Sequence, residues 1–134
     1  MAALDTNVLV RYLVQDDAAQ LADARQLIGS CVNQGQTLYI PVSVSLELEW
    51  VLRSNFGVSK AEVVQTLSQL LSAAELSFES ESALELALSR YRESAADYAD
   101  CVHVALALSA GEQPLWTFDK KASKLNGARL LARA

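Results

Sequence analysis

Four acidic residues lie beside apolar segments of this chain, and their type and spacing could support metal-ion chemistry. They are Asp5, Glu47, Asp100 and Asp119. A carboxylate removed from water is costly unless it is paired or binds a cation. Few lysines or arginines are near these four residues in sequence. We therefore predict that the four carboxylates converge on metal ions.

Asp5 and Asp119 each end an apolar segment that is predicted to be a strand. Asp5 follows Met1–Leu4, and Asp119 follows Leu115–Phe118. In parallel α/β folds, ligands bind beyond the carboxyl ends of the strands, so both acids are expected at that edge. Taken singly, each residue could instead cap a helix.

Glu47 interrupts the apolar face of a predicted helix. It comes three residues after Val44 and four before Val51, which places it beside the buried stripe. The alternative is a charge at the rim that complements the helix dipole. Glu49 is expected to point to solvent.

Asp100 lies in an apolar helix, although aspartate is a poor helix former and an unlikely core residue. Asp97 shares its face through a spacing of three. Asp97 also fits a capping box, Ser94-x-x-Asp97, so metal ligation and capping both remain open. His103, the only histidine, cannot form a His-based zinc site alone. Oxygen ligands favour Mg²⁺ or Mn²⁺ as the cofactor.

Four polar residues near the acids are candidates for supporting roles. Asn7 and Thr117 could orient the carboxylates through hydrogen bonds, or they could belong to ordinary turns. Lys120 and Lys121 could contact substrate phosphates, or they could form a solvated helix face.

Apolar strands alternate with helical patterns along the chain, which predicts an α/β fold with a parallel sheet covered on both faces. The predicted strands are Ala2–Asp5 (short and buried), Thr37–Pro41, Leu76–Phe78, Leu115–Phe118 and Arg129–Leu131. The predicted helices are Val8–Val14, Asp17–Cys31, Ser43–Ser54, Ser59–Ser72, Ser80–Glu93, the segment from Ser94 to Ala110 ending at Gly111, and Lys120–Leu125.

Composition favours one globular domain over residues 1–134, since 51% of the residues are hydrophobic and 20% are charged. The net charge of -5 argues against broad electrostatic affinity for nucleic acid or membranes. A nuclease is still compatible with this charge, because divalent ions can neutralise an acidic cleft. Cys31 and Cys101 are expected to be free core thiols of a cytoplasmic protein. No signal peptide or transmembrane helix is expected.

Four sequence blocks together resemble those of PIN-domain ribonucleases, specifically the VapC-type toxins of toxin–antitoxin pairs. The blocks are Leu4-Asp5-Thr6-Asn7, Glu47-Leu48-Glu49-Trp50-Val51-Leu52, Asp97-Tyr98-Ala99-Asp100 and Trp116-Thr117-Phe118-Asp119. The resemblance covers essentially the whole chain. It implies an α/β/α sandwich with a central parallel sheet. It also implies metal binding and catalysis by Asp5, Glu47, Asp100 and Asp119, with Asp97 matching an acid found in some members.

The function that this resemblance implies is Mg²⁺- or Mn²⁺-dependent endoribonuclease activity. RNA would be the substrate, and a cognate antitoxin protein would be the inhibitor. A homodimer is also expected, because Leu46 and Trp50 lie off the core stripe of their helix.

Three other functions are compatible with an acidic α/β domain. A phosphotransferase with a nucleophilic Asp5 would need a second carboxylate where Asn7 lies. A receiver-like signalling module would need an acceptor Asp after the Thr37–Ile40 strand, where the sequence is Pro41-Val42-Ser43. A PIN-like acidic metal-binding module without nuclease activity would keep the acids but not cleave RNA.

Overall fold

The computed structural model describes residues 2–131, and the chain divides into two compact units. One lies within Met1–Glu79 and the other within Ser80–Ala134. Each unit combines helices with parallel strands. The fold class is therefore α/β, as the sequence predicts.

Three short strands and four helices form the first unit. The strands are β1 (Ala2–Ala3), β2 (Leu38–Ile40) and β3 (Leu76–Phe78), and the helices are α1 (Thr6–Val14), α2 (Ala18–Asn33), α3 (Val42–Asn55) and α4 (Lys60–Leu71). The strands pair in parallel in the order β1-β2-β3, with Ala2 opposite Leu38 and Leu38 opposite Leu76. Parallel neighbours need crossover connections, which α1 and α2 supply before β2, and α3 and α4 supply before β3.

Helices and strands both contribute to the core of the first unit. Its fully buried large side chains include Leu9, Leu38, Ile40, Leu48, Val63 and Leu67. Ser59 caps the start of α4, since its Oγ accepts a hydrogen bond from the Glu62 amide at 3.3 Å. The prediction that Ala2–Asp5 is a buried strand is wrong for its first residues. Ala2 and Ala3 are exposed, and burial begins at Leu4.

The second unit contains two helices followed by a small parallel ladder. The helices are α5 (Glu81–Glu93) and α6 (Tyr98–Ser109), and the strands are β4 (Leu115–Thr117) and β5 (Ala128–Leu130), with a 3₁₀ turn at Ala122–Lys124 between the strands. The five predicted strands are all present, but β4 and β5 hydrogen-bond to each other in a ladder separate from β1-β2-β3.

Helices α5 and α6 pack together through aromatic and aliphatic side chains. The rings of Tyr91 and Tyr98 lie 5.4 Å apart and are tilted by 56°. Leu84 and Val102 are fully buried. Helix α6 is followed by Gly111 with a φ of +74°, which is the left-handed conformation that commonly terminates a helix.

Both cysteines, Cys31 and Cys101, are buried and free, as predicted. Across residues 2–131, none of the helices has the length and apolar character needed to cross a membrane.

Candidate functional site

Asp100 lies in the first turn of α6 and is the only half-buried member of the four predicted acids. Asp5, Glu47 and Asp119 are exposed. The argument that burial of a carboxylate is costly therefore applies to Asp100 alone, and the expectation that all four acids lie in apolar surroundings is wrong. The apolar segments beside the other three acids are short strands or helix faces. Positions next to these segments are exposed to solvent.

Burial raises the pKa of Asp100, and neighbouring carboxylates raise it further. Asp119 exerts the larger of the two repulsions and Asp97 the smaller, while His103 acts in the opposite direction. Like charges disfavour ionisation only when they are close, so these acids form one electrostatic group in the second unit. The sequence predicted that Asp100 and Asp119 converge together with Asp5 and Glu47, and it left Asp97 open between metal ligation and capping.

Asp97 occupies the N-cap position of α6 but makes no capping hydrogen bond with its side chain. The predicted box Ser94-x-x-Asp97 is wrong because the helix begins at Tyr98, four residues after Ser94. Ser94 instead caps the end of α5, and its Oγ accepts a hydrogen bond from the Ala96 amide at 3.3 Å. The Asp97 carboxylate therefore does not cap α6 with a hydrogen bond, and its charge helps to raise the pKa of Asp100.

Asp119 fixes the loop that follows β4. Its Oδ1 accepts a hydrogen bond from the Ala122 amide at 2.8 Å, and its own amide donates to Thr117 Oγ1 at 3.0 Å. Of the two roles that the sequence left open for Thr117, the structure shows the ordinary turn, since Thr117 Oγ1 contacts the backbone of Asp119. The bond from the Ala122 amide orients the Asp119 side chain through one of its two oxygens.

Asp5 is the N-cap residue of α1, where its Oδ1 accepts a hydrogen bond from the Val8 amide at 3.1 Å. Capping, which the sequence left open, is therefore present at Asp5. Capping and ligation are compatible, because a carboxylate has two oxygens with several lone pairs. Asp5 and Asn7 also line a cleft of about 290 Å³ in the first unit.

Arg11 lines the same cleft with a guanidinium held in a fixed plane. Its Nε donates to Gln20 Oε1 at 2.6 Å, and its Nη1 donates to Asp16 Oδ1 at 2.8 Å. The Asp16 carboxylate therefore neutralises this cation locally. The cleft next to Asp5 consequently contains charges of both signs and is not strongly basic.

Glu49, and not Glu47, is the buried glutamate of α3. Glu49 is 4% exposed, and its Oε2 accepts a hydrogen bond from Arg53 Nε at 2.9 Å. The expectation that Glu49 points to solvent is wrong, because an arginine one turn later supplies the charge that makes burial tolerable. Glu47 is exposed and free to act on a ligand at the surface.

The donor chemistry of these acids suits a hard divalent cation, since carboxylate oxygens are the ligands that such ions prefer. Within residues 2–131, however, no three Asp, Glu, His or Cys side chains are gathered closely enough to form a ready coordination shell.

Comparison with protein families matches residues 2–128 to the PIN domain. Because this match spans nearly the whole chain, the protein belongs to the PIN domain family. Its six helices and parallel strands are consistent with a PIN-like α/β/α fold. PIN domains are generally metal-dependent nucleases, so the chain has a nuclease-type fold. No curated protein matches the chain in sequence.

Proposed function

We propose that this protein is a Mg²⁺- or Mn²⁺-dependent endoribonuclease and the toxin of a VapBC-type toxin–antitoxin pair. The observation that carries the proposal is the electrostatic group of Asp97, Asp100 and Asp119 in a PIN-domain chain. Burial raises the pKa of Asp100, and repulsion from Asp119 and Asp97 raises it further. Perturbed carboxylates of this kind concentrate at functional sites.

Repulsion between the acids is the feature that a divalent cation would relieve. Asp5 and Asp100 are proposed as direct ligands, and Asp119 as a ligand acting directly or through water. Asp119 has one oxygen bonded to the Ala122 amide, which leaves the other for this role. Asp97 is proposed as a further ligand, since its side chain does not cap α6.

Hydrolysis of a phosphodiester needs an activated water and stabilisation of charge on the leaving oxygen. A divalent cation, when bound, supplies positive charge to the phosphate and lowers the pKa of water. Glu47 is proposed to hold the cation or to orient the attacking water, for which its exposed side chain is suited. Lys120 and Lys121 are exposed just beyond Asp119 and are proposed to contact substrate phosphates.

The proposed partners follow from the same chemistry. A cognate antitoxin would mask the acids with an arginine, because a guanidinium can bind a carboxylate through two hydrogen bonds. A homodimer, a cytoplasmic location and a single domain over residues 1–134 remain part of the proposal.

The direct test is cleavage of RNA by the purified chain. Cleavage should stop in EDTA and return with Mg²⁺ or Mn²⁺. Asp100→Asn should lower the rate by at least about 100-fold, since an amide is neutral and a weaker ligand for a hard cation. Glu112→Gln, which removes one exposed charge beyond the end of α6, should leave the rate near wild type. Full activity of Asp100→Asn would remove this residue from the site.

The toxin role is tested by expressing the chain alone and together with its neighbouring genes. Expression alone should slow growth, and expression of Asp100→Asn should not. A small protein encoded beside the gene should co-purify and restore growth. Metal binding without RNA cleavage or growth inhibition would favour the alternative, an acidic metal-binding module without nuclease activity.

A further inference from the structure

The β4–β5 ladder of the second unit exposes an aromatic and cationic surface. Trp116 lies within β4, and Phe118 follows the strand directly at a bend. Trp116 is 53% exposed, and Phe118 is 77% exposed. Arg129 lies opposite Trp116 in the ladder, with its guanidinium carbon 5.5 Å from the Trp116 ring centroid. We call Trp116, Phe118 and Arg129 the aromatic face.

Charge around the aromatic face is opposite in sign to the charge of the whole protein. Residues 115–131 contain four cations, Lys120, Lys121, Lys124 and Arg129, and one anion, Asp119, which gives this segment a net charge of +3. The whole chain carries -5. All four cations are exposed. This segment therefore attracts a polyanion, although the protein as a whole repels one.

The aromatic face also adjoins the candidate metal site. Phe118 immediately precedes Asp119, whose position is fixed by the hydrogen bonds to Ala122 and Thr117. Asp119 in turn acts electrostatically on Asp100. A ligand that stacks on Phe118 thus lies next to the acids proposed to carry out hydrolysis.

We propose that the aromatic face binds single-stranded RNA by stacking unpaired bases, with Phe118 holding the base beside the phosphate that reaches Asp119. This deepens the proposed function and rests on it for the identity of the scissile strand. Exposed aromatic rings interleaved with cations are the combination that binds single strands: bases stack on the rings while the cations follow the phosphates. The four exposed cations in the same segment as the rings favour a polyanion over a protein partner.

The test is the affinity of the full-length chain for a fluorescently labelled oligouridylate of about ten nucleotides, measured by anisotropy in EDTA to stop metal-dependent cleavage. Phe118→Ala should weaken binding about tenfold, as is typical when one stacking ring is removed. Phe118→Tyr should bind like wild type, because it keeps the ring. Phe56→Ala, which truncates a 38% exposed phenylalanine in the first unit, should have no effect.

An abasic strand of the same length separates stacking from phosphate contacts. Wild type should bind it more weakly than Phe118→Ala binds the normal strand, because stacking on Trp116 is lost as well. Wild type and Phe118→Ala should bind the abasic strand with similar affinity. Because Phe118 is largely exposed, its truncation should preserve the fold. An unchanged melting temperature and an unchanged Mn²⁺-induced shift in Phe118→Ala would establish that Asp119 is undisturbed.

Each outcome distinguishes this inference from the proposed nuclease function. If wild type cleaves RNA and Phe118→Ala binds it equally well, the inference fails and the nuclease stands. If Phe118→Ala loses affinity but wild type never cleaves, the aromatic face stands and the nuclease fails. Absence of both binding and cleavage overturns both. A change in the sedimentation of Phe118→Ala with unchanged RNA affinity would make the face a protein interface and overturn the inference.

Discussion

The carboxylate of Asp119 adds to the effect of burial in raising the pKa of Asp100, although the two residues are on different elements of the second unit. Asp100 is in the first turn of α6, and Asp119 follows β4, which contacts α6. Two carboxylates held close together repel each other and destabilise the metal-free fold. Their proximity therefore does not serve stability and needs another explanation. Cation binding supplies that explanation, because a bound cation would relieve the repulsion between the two carboxylates.

Asp100→Asn should stabilise the metal-free protein at neutral pH but not in acid. The folded-state pKa of Asp100 is raised above its ordinary value of 3.8. Below that pH, Asp100 is neutral in both folded and unfolded chains, and its contribution to the free energy of unfolding is at its most favourable. This contribution is lost as the pH rises through the folded-state pKa, because the folded state then holds a poorly solvated, repelled charge. Asparagine stays neutral throughout, so the variant does not suffer this loss.

The measurement is urea denaturation in EDTA at pH of about 4 and 7. The free energy of unfolding of Asp100→Asn, relative to wild type, should be higher at the upper pH than at the lower one, because only the wild type acquires the Asp100 charge. Asp97→Asn should produce a smaller effect, since Asp97 contributes the weaker repulsion. A pH-independent difference between Asp100→Asn and wild type would show that the Asp100 charge does not affect folding.

Two substitutions at Asp119 should separate its structural role from its charge. Asp119→Asn keeps a side-chain oxygen for the Ala122 amide, so the metal-free protein should keep its stability or gain a little. Asp119→Ala removes that acceptor and should cost about 1 kcal/mol, as loss of a cap typically does. Both variants should lose RNA cleavage. Retention of cleavage in Asp119→Asn would confine Asp119 to the cap.

The sequence predicted the elements because their hydrophobic periods are regular. All five strands and six of the seven predicted helices are present, with ends shifted by a few residues, whereas Lys120–Leu125 contains only a 3₁₀ turn at Ala122–Lys124. The Ser94-x-x-Asp97 prediction failed because Ser94 Oγ bonds to the nearby Ala96 amide at the end of α5. Local sequence does not decide between these two hydrogen bonds.

The candidate site was predictable in its residue types but not in its environments. Glu47 and Glu49 have similar sequence neighbours, but Glu49 is the buried one, and it is paired with Arg53. The i,i+4 spacing of Glu49 and Arg53 is the signal that could have identified the buried residue. Likewise, the sequence places Trp116 and Phe118 on either side of Thr117, but their exposure depends on packing that the sequence does not specify.

The two glutamates of α3 should respond oppositely to truncation. Glu49→Ala removes the buried partner of Arg53 and should cost about 1–3 kcal/mol of stability. Glu47→Ala changes an exposed position and should alter stability by less than about 0.5 kcal/mol. RNA cleavage per folded molecule should fall in Glu47→Ala and persist in Glu49→Ala. The reverse pattern of cleavage would transfer the proposed role from Glu47 to Glu49.

Trp50→Glu should weaken self-association. Trp50 is 54% exposed on α3, and large exposed aromatic side chains commonly anchor protein interfaces. A charge at this position would oppose burial in a dimer. Sedimentation velocity at micromolar concentration should show a dimeric wild type and a larger monomer fraction in Trp50→Glu. Trp116→Glu should leave the dimer intact, and a strictly monomeric wild type would contradict the prediction.

A pair of variants at Asp5 tests whether this N-cap residue also binds metal. Asp5→Asn keeps an oxygen for the Val8 amide, whereas Asp5→Ala removes the acceptor and should cost about 1 kcal/mol without metal. If Asp5 is a ligand, both variants should show a smaller rise in melting temperature with millimolar Mn²⁺, because a cation that binds only the folded state stabilises it according to its affinity. A cap without ligation predicts a normal Mn²⁺ shift in both.

The comparison is made by thermal melting in EDTA and in Mn²⁺ for wild type, both Asp5 variants and Asp100→Asn. Asp17→Asn is the matched control, because Asp17 caps α2 with its side chain, through the Gln20 amide at 3.0 Å, and is not among the predicted ligands. Its Mn²⁺ shift should equal that of wild type. Reduced shifts at Asp5 and Asp100 together with a normal shift at Asp17 would assign the metal effect to those two acids rather than to helix capping or general loss of negative charge. Equal shifts in all of these proteins would exclude Asp5 and Asp100 as ligands.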